Sequence, residues 1–510
     1  MNKQITNNRK TSKIVHLASF LCLFIWLFVA YWQPIQSKDD SLRSSYRVGS
    51  LPWRYDQQPI DESYSGFINI RNVSHNGSDH EVKKAATFYW FFPAEEPLEE
   101  NPPLIIWIQG GPGSSSMIGL FYEMGPMKFD GSDKLIRNPN TWSKHASMLF
   151  IDNPVGTGFS FVGSKSKQMQ SPPLEKPDLP LTPTDIPSEC PTHEDLSSPK
   201  FENGYVANQE AVAHDLIVFL DRFYDIFPEQ RKSKLFITGE SYAGKYIPSF
   251  AYQIHRVNQN RVNEKSNSSG LPIPLSGIGI GNGFTDPLTQ IKAHVPMALA
   301  FGLISQKVAN QMDVLAQLAI ANICKKNWSL ALSYRLQLFD IFKESTGNVN
   351  WYDLRRGNQP YLRPEMYRFF DKPEVKQALN VGDAIFFKDP WVFKYLEEDL
   401  MQSAAFYIPP LLEANYQVLL YQGQFDFRDG VLSSTEWIES LNWHGQESYK
   451  SANRTIWRND SPGQSSVAGY VTQFGNLVRV EVSNAGHLAP GDQGVNTAKM
   501  INKFLLQNDL

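Results

Sequence analysis

The chain has 510 residues, of which 42% are hydrophobic and 20% are charged, and its formal net charge is −4. This composition is typical of a globular protein and excludes collagen-like, coiled-coil and low-complexity classes. The near-neutral charge, without clustered Lys and Arg, argues against a nucleic-acid partner. At about 150 residues per domain, the length allows about three domains.

The N-terminus has the pattern of an export signal. Residues 1–13 contain Lys and Arg but no acidic residue, and residues 14–32 form an apolar run without a formal charge. The run is long enough to span a bilayer, and bulky residues at its end disfavour cleavage. We expect residues 1–13 in the cytoplasm, residues 14–32 as an uncleaved anchor of a type II membrane protein, and residues 33–47 as a stem. The alternatives are a cleaved signal peptide, giving a lysosomal or secreted protein, and a buried core helix.

Six sequons give weak support for a body in the secretory pathway, because Asn-X-Ser/Thr is the acceptor for N-glycosylation. The candidate sites are Asn72, Asn76, Asn267, Asn327, Asn453 and Asn459.

The body that follows, residues 48–510, alternates short apolar runs with amphipathic helical segments. A continuous apolar run bounded by turn residues predicts a strand buried on both faces, and apolar residues at helical spacing, as in 208–228 behind the capping residue Asn208, predict a helix. This alternation predicts an α/β fold with a mainly parallel sheet covered by helices. The predicted strand segments are 66–70, 86–93, 103–113, 147–161, 235–238, 276–283, 417–423 and 477–482.

Two stretches interrupt the alternation. Residues 163–202 contain many prolines among Ser, Thr, Lys and Asp, which predicts a long exposed loop. Residues from about 290 to 370 contain helical patterns without a strand pattern, which predicts an inserted helical cap.

The segment from Gly239 to Gly244 follows a predicted strand and precedes a predicted helix. It has the pattern of the elbow that presents a nucleophilic serine, here Ser241, although Ala243 stands where the strict pattern has glycine. A structural turn of small residues would also give this pattern. Asp426 and His487 follow later strands in the order that this elbow class requires, and the carboxyl ends of strands carry the active sites of α/β sheets. We therefore expect a Ser241, His487, Asp426 triad.

Five ordered segments resemble the serine carboxypeptidases: WIQGGPGSSSMIGLFYEMGP, FIDNPVGTGFSF, GESYAGKYIP, GNGFTDP and NAGHLAP. Gln109, Lys245 and YQGQFD resemble the vitellogenic-like branch most. The resemblance implies an α/β-hydrolase fold and a serine-type carboxypeptidase that releases C-terminal residues from peptides and proteins. No metal or organic cofactor is implied.

The same residues suggest how the site would work. Backbone N–H groups of Gly111 and Tyr242 would form the oxyanion hole. The resemblance assigns the terminal carboxylate of the substrate to Gln109, Gly110, Glu123 and Glu240. Two carboxyl groups bind an anion when they are protonated, so we expect raised pKa values and activity at acidic pH. Glu123 as an exposed helix residue is the alternative.

The chain departs from the family in its cysteines. Relatives commonly carry Cys where Ser114 stands and several disulfides, whereas Cys190 and Cys324 are the one pair available in this body. The motif order indicates one catalytic domain over 48–510 rather than three domains. An acyltransferase on the same scaffold and a non-catalytic adhesion protein are the alternative functions, and the sequence does not indicate an oligomeric state.

Overall fold

The apolar runs of the sequence pair into an eleven-stranded sheet, with the strands in the order β1-β2-β6-β3-β11-β12-β14-β17-β16-β15 and β8 beside β2. The computed structural model describes residues 41–60, 62–73, 83–163, 190, 197–263, 271–360, 364–461 and 464–506. The anchor predicted at 14–32 and the sequons Asn76 and Asn267 lie outside these residues. The strands are β1 Tyr64–Val73, β2 Lys83–Phe92, β3 Leu104–Ile108, β4 Met127–Phe129, β5 Leu135–Arg137, β6 Ser147–Ile151, β7 Thr157–Gly158, β8 Phe161–Gly163, β9 Phe201–Glu202, β10 Tyr205–Val206, β11 Leu235–Glu240, β12 Leu275–Gly281, β13 Phe387–Lys388, β14 Gln417–Gly423, β15 Thr455–Ser461, β16 Gln464–Phe474 and β17 Leu477–Val482.

The centre of the sheet is parallel and its two ends are antiparallel. Strands β6, β3, β11, β12, β14 and β17 run in one direction. Strands β1, β2 and β8 extend one end, and β16 and β15 extend the other, as antiparallel pairs. Every residue of β3, β6 and β11 is buried, as expected for strands covered on both faces. The parallel order places the carboxyl ends of β11, β14 and β17 along one edge, and this edge holds the site described below.

Helices follow most of the central strands. The α-helices are α1 Gln209–Ile226, α2 Ala243–Asn263, α3 Pro287–Gln290, α4 His294–Ala300, α5 Gln306–Cys324, α6 Trp328–Thr346, α7 Glu365–Asp371, α8 Pro373–Ala378, α9 Pro390–Tyr395, α10 Ile408–Glu413, α11 Val431–Glu439, α12 Gln446–Lys450, α13 Ala489–Asp492 and α14 Gly494–Leu505. Single helical turns lie at Gly119–Glu123, Trp142–Lys144, Pro228–Lys232, Ile291–Ala293, Leu354–Arg356, Asp399–Met401 and Ala405–Tyr407.

The start of α1 shows how a local signal fixes an element. The Asn208 side chain accepts a hydrogen bond from Ala211 N at 3.0 Å, which satisfies one of the unpaired N–H groups of the first turn. The buried face of α1 includes Leu216, Phe219 and Phe223, the residues whose helical spacing predicted the helix.

The segment from 290 to 370 is helical over most of its described length. Helices α4, α5 and α6 correspond to the three helical patterns of the sequence, and they pack around a hydrophobic cluster of their own. Phe427, which follows the predicted triad residue Asp426, joins this cluster and stacks on Phe342 with ring centroids 4.1 Å apart. The cap therefore packs directly on the strand end that carries the acid.

Part of the proline-rich segment lies within the described residues. Its last two residues form β9, which pairs with β10, so the end of the predicted loop is a short hairpin. Cys190 forms a disulfide with Cys324, the last residue of α5, across a sequence separation of 134 residues. This covalent link ties the proline-rich segment to the cap.

The described residues from Val48 onward form a single compact unit. Within the described part of the chain, no helix is long and apolar enough to cross a membrane.

Candidate active site

Ser241 lies in the turn between β11 and α2 with a φ of +63°, a left-handed conformation that is uncommon for a residue with a side chain. The turn is closed by two hydrogen bonds from Ser241 N, to Gly281 O at 3.1 Å and to Asn282 O at 3.2 Å. Gly239 is required for a tight approach, because a Cβ there would lie 2.0 Å from Ile108 O. The sequence therefore folds into the elbow that its small residues predicted.

Asp426 follows β14 and His487 follows β17, and the two side chains meet. His487 Nδ1 lies 2.7 Å from Asp426 Oδ2 in a pair that is almost completely buried. Asp426 Oδ1 accepts from Arg428 N at 2.9 Å, so both carboxylate oxygens are held. This contact fixes the orientation of the imidazole ring and the nitrogen that faces the acid.

His487 has an unusual electrostatic environment. Burial disfavours its charged form, but the Asp426 carboxylate and, to a smaller extent, Glu240 and Asp429 favour it, so the pKa of His487 is raised. Its Nε2 atom is buried and has no hydrogen-bond partner among the described residues. The hydrogen bond from Ser241 to His487 is therefore not formed in this conformation, as is common in structures without substrate.

The backbone around Ser241 leaves two N–H groups for an anion. Gly110 is in such close contact with the elbow that a Cβ on it would lie 2.4 Å from Tyr242 N. In the described part of the protein, neither Gly111 N–H nor Tyr242 N–H donates a hydrogen bond to another residue. The Tyr242 side chain is anchored by a 2.5 Å hydrogen bond from its hydroxyl to Asp399 Oδ2, which holds the residue beside the serine.

Glu240 and Glu123 form a buried pair of carboxyl groups beside the elbow. Gln109 Nε2 donates to Glu240 Oε1 at 2.6 Å, and Trp107 Nε1 donates to Gln109 Oε1 at 3.0 Å, so the amide orientation is fixed. Glu123 is 5% exposed, and no described N–H or hydroxyl group donates to its carboxyl or to Glu240 Oε2. Glu123 is thus an interior residue, and the alternative of an exposed helix residue is wrong.

The surroundings of the two carboxyl groups raise both of their pKa values. Burial and the charge of the neighbouring Glu240 raise the pKa of Glu123 well above its usual value. Burial likewise raises the pKa of Glu240 to about 7, although His487 opposes the rise. Two carboxylates in contact within a desolvated pocket cannot both ionise at low cost, so protonation is the state that the pocket favours.

Two residues of the site were not identified from the sequence. Asn282 Nδ2 donates to Asp426 Oδ2 at 2.8 Å, and the ring of Tyr352 packs against the ring of His487 with centroids 4.8 Å apart. Tyr352 O also accepts from His487 N at 2.7 Å. Asn282 lies in the GNGFTDP motif, whose position after β12 was a usable signal, whereas Tyr352 lies in the cap without any local signal.

Asp152 is a further buried acid near the glycine loop. Its carboxylate accepts from Ser115 Oγ at 2.5 Å and from the backbone N of Ser116 and Phe159 at 3.0 Å each. Burial outweighs these three hydrogen bonds and raises the pKa of Asp152 to about 7. The group holds the loop of 113–117 against the segment that follows β6.

No group of three or more His, Cys, Asp or Glu side chains capable of holding a metal occurs in the part of the chain that the structure describes. Among the candidate glycosylation sites, Asn72, Asn327 and Asn453 are exposed and Asn459 is partly exposed.

The fold and this site together define a class of protein, a serine hydrolase with an α/β-hydrolase fold. A family model described as "Serine carboxypeptidase" matches residues 54–507. The chain is 34% identical over 453 residues to the human "Probable serine carboxypeptidase CPVL", covering 87% of this chain and 83% of that protein. It is 31% identical over 461 residues to the "Vitellogenic carboxypeptidase" of Aedes aegypti, covering 88% and 84%. The chain therefore belongs to the serine carboxypeptidase family and is a peptidase of this kind.

A solved structure agrees with this fold. The prohormone-processing carboxypeptidase Kex1Δp from Saccharomyces cerevisiae is similar with a TM-score of 0.73 at 24% sequence identity, over 91% of this chain and 96% of that chain. The similarity confirms the α/β-hydrolase fold expected from the sequence.

Proposed function

We propose that this carboxypeptidase works through an acyl-enzyme on Ser241, with His487 as the general base and Asp426 as the group that orients it. The observation that carries the proposal is the buried 2.7 Å contact between His487 Nδ1 and Asp426 Oδ2, on the same sheet edge as the strained elbow of Ser241. In this scheme His487 Nε2 takes the hydroxyl proton of Ser241 while Oγ attacks the scissile carbonyl carbon. The same proton then goes to the leaving amine, and a water molecule attacks the acyl-enzyme in the second half of the cycle.

The oxyanion of each tetrahedral intermediate would be held by Gly111 N–H and Tyr242 N–H. Two observations support this role. Gly110, which precedes Gly111, packs closely against Tyr242 N. Neither N–H group has an acceptor among the described residues. A single such donor is worth about 3 to 4 kcal/mol of transition-state stabilisation.

The preference for a chain end would come from the carboxyl pair. When Glu123 and Glu240 are protonated, their hydroxyl groups donate hydrogen bonds to the terminal carboxylate of the peptide, and Gln109 and Gly110 complete the pocket. The raised pKa values of both acids support this role, because they keep the pair protonated at acidic pH. We therefore propose that peptide binding is best at acidic pH.

Labelling with a fluorophosphonate probe tests the nucleophile directly. We expect the folded wild-type protein to be labelled on Ser241 and the Ser241→Ala variant to remain unlabelled. A folded wild-type protein that does not react would instead favour the non-catalytic adhesion protein. Product analysis with and without an added amine or alcohol separates hydrolysis from acyl transfer, because the two reactions share the same acyl-enzyme.

We also propose that the protein enters the secretory pathway through residues 14–32. The basic flank and apolar run support this location, as does the Cys190–Cys324 disulfide, because disulfides persist in oxidising compartments. N-terminal sequencing of the mature protein, combined with alkaline extraction of membranes, distinguishes the uncleaved anchor from the cleaved signal peptide.

A further inference from the structure

The proposed mechanism does not use three positively charged residues near the candidate site, Lys388, Arg428 and Arg335. Lys388 is exposed and has no hydrogen bond or ion pair with another described residue. The Arg428 side chain is 17% exposed, and Arg335 is buried. An unpaired cation at an enzyme cleft suggests a binding partner of opposite charge.

Lys388 lies over the loop that carries the proposed oxyanion hole. Strand β13, which contains Lys388, pairs with Thr157 and Gly158, and Lys388 Cε lies 3.8 Å from the position of a Cβ on Gly113. Although this side chain is exposed, the surrounding protein displaces enough water to lower the pKa of Lys388. An ammonium group that is accessible but partly desolvated is typical of a residue that lines a binding site.

Arg428 places a second positive charge near His487. Its Nη1 donates to the Tyr352 hydroxyl at 2.8 Å, and the Tyr352 ring packs on His487. Burial raises the pKa of Tyr352, but Arg428, His487 and Lys388 oppose this and lower it overall. The charges of Lys388 and Arg428 act on each other, and both act on the Tyr352 hydroxyl.

The positive charge of this region is incompletely balanced. Arg335 is 2% exposed and stacks on Phe284 with 4.3 Å between the guanidinium carbon and the ring centre, yet its Nε and Nη2 have no hydrogen-bond partner among the described residues. Asp429 lies 3.5 Å from Arg428 Nε, but burial raises the pKa of this acid. Asp426 is already paired with His487.

We propose that Lys388, with the field of Arg428 behind it, forms a subsite for an acidic side chain on the residue before the scissile bond. This inference rests on the proposed carboxypeptidase function and assigns its substrate class: peptides with Asp or Glu as the penultimate residue. The released residue is a poorer place for the acidic side chain, because its carboxylate is bound beside Glu123 and Glu240. A second anion there would add charge to the acidic side of the cleft.

The test compares kcat/KM for blocked dipeptides that end in Glu-Phe, Gln-Phe and Lys-Phe at pH 5.5, where a glutamate side chain is ionised. Glu and Gln have the same shape, so their ratio isolates the charge. For the wild-type protein we expect a Glu-to-Gln ratio of about three to ten. We expect Lys388→Met to bring this ratio close to one and Lys388→Glu to favour the Lys peptide.

Lys232→Met is the matched control, because Lys232 is also exposed but precedes β11 at the sheet edge opposite Ser241. It should keep the wild-type ratio. Three results would overturn the subsite. The wild-type protein could cleave the Glu and Gln peptides equally, or Lys388→Met could leave their ratio unchanged. The third result is a preference for Phe-Glu over Phe-Gln that exceeds the preference at the penultimate residue. Failure to cleave any of the peptides would instead overturn the proposed function itself.

Discussion

Asn282 Nδ2 donates to the same carboxylate oxygen of Asp426, Oδ2, that contacts His487 Nδ1, at distances of 2.8 Å and 2.7 Å. Asn282 also accepts from Ser241 N through its backbone oxygen and from Gly423 N through Oδ1. One fully buried residue thus connects the two turns, through its backbone oxygen to the turn of Ser241 and through its side chain to the turn of Asp426. We therefore expect Asn282 to act as a positioning residue for the proposed triad.

Asn282→Ala should lower kcat by about 10- to 100-fold with little change in KM, because the acid loses a donor that fixes its geometry. Asn282→Asp should be more damaging, since a second carboxylate would face Asp426 and raise the pKa of His487 further. The pH dependence of kcat for the two variants checks this, with the exposed Asn310→Ala on α5 as the control. If Asn282→Ala keeps the wild-type kcat and pH profile, Asn282 has no positioning role.

A rise in pH should weaken peptide binding without slowing the chemical step. As pH rises through about 7, Glu240 ionises and its negative charge repels the substrate carboxylate, so KM for a peptide should increase. Over the same range His487 moves toward the neutral form that a base requires, so kcat should hold or increase. Steady-state kinetics between pH 4.5 and 8.5 measures both.

A C-terminally amidated peptide is the matched substrate for this experiment. It has no terminal carboxylate to be repelled, so its KM should lack the rise at neutral pH. Identical KM profiles for the acid and the amide would contradict the role of the carboxyl pair.

Glu123→Gln keeps the shape of the side chain and one donor but removes its titration. We expect the variant to bind free-acid peptides with a KM that varies less with pH, because only Glu240 still titrates in the pair. At pH 5 the loss in kcat/KM should be less than about tenfold, because the amide N–H replaces the carboxyl hydroxyl as the donor to the substrate carboxylate. A KM profile as steep as that of the wild type would show that Glu123 does not contribute to the pH dependence.

Folding stability should decrease between acidic and neutral pH. The pKa of Asp152 is raised from its ordinary value of 3.8 to about 7 in the folded protein, so the folded state binds more protons than the unfolded state between these two pH values. The free energy of unfolding therefore falls as pH rises through this window, by about 1.4 kcal/mol for each unit of the shift. Glu123 and Glu240 act in the same direction.

Urea unfolding at several pH values checks this prediction. Asp152→Asn should flatten the slope between pH 4.5 and 7.5, even though the absolute stability of the variant is lower because its amide meets the Phe159 N–H. The slope is the readout. A wild-type protein that gains stability from pH 4.5 to 7.5 would contradict the raised pKa of these acids.

The sequence predicted the parallel centre of the sheet because each central strand is a continuous apolar run. Strands β14 and β17 have the predicted bounds, 417–423 and 477–482. The strands β15 and β16 were not predicted. They lie at a partly exposed end of the sheet, and Trp457 is the one buried residue among the described side chains of β15. A strand with one buried residue carries almost no periodicity.

The positions of the candidate triad residues Ser241, Asp426 and His487 at strand ends were predictable, because residue type and local turn pattern coincide there. The residues that contact them were harder to predict. Asn282 is 144 residues from Asp426 in sequence, and Tyr352 reaches His487 from an inserted cap, so neither contact follows from a local pattern. The raised pKa of Glu123 likewise depends on burial, which the sequence of a short helical turn does not reveal.

The most direct test of the central claim is mass spectrometry of a defined peptide incubated at pH 5 with the wild-type protein and with Ser241→Ala. The account predicts that the wild type removes residues one at a time from the free C-terminus and that Ser241→Ala leaves the peptide intact. Internal cleavage by the wild type, or equal trimming by the Ser241→Ala variant, would contradict it.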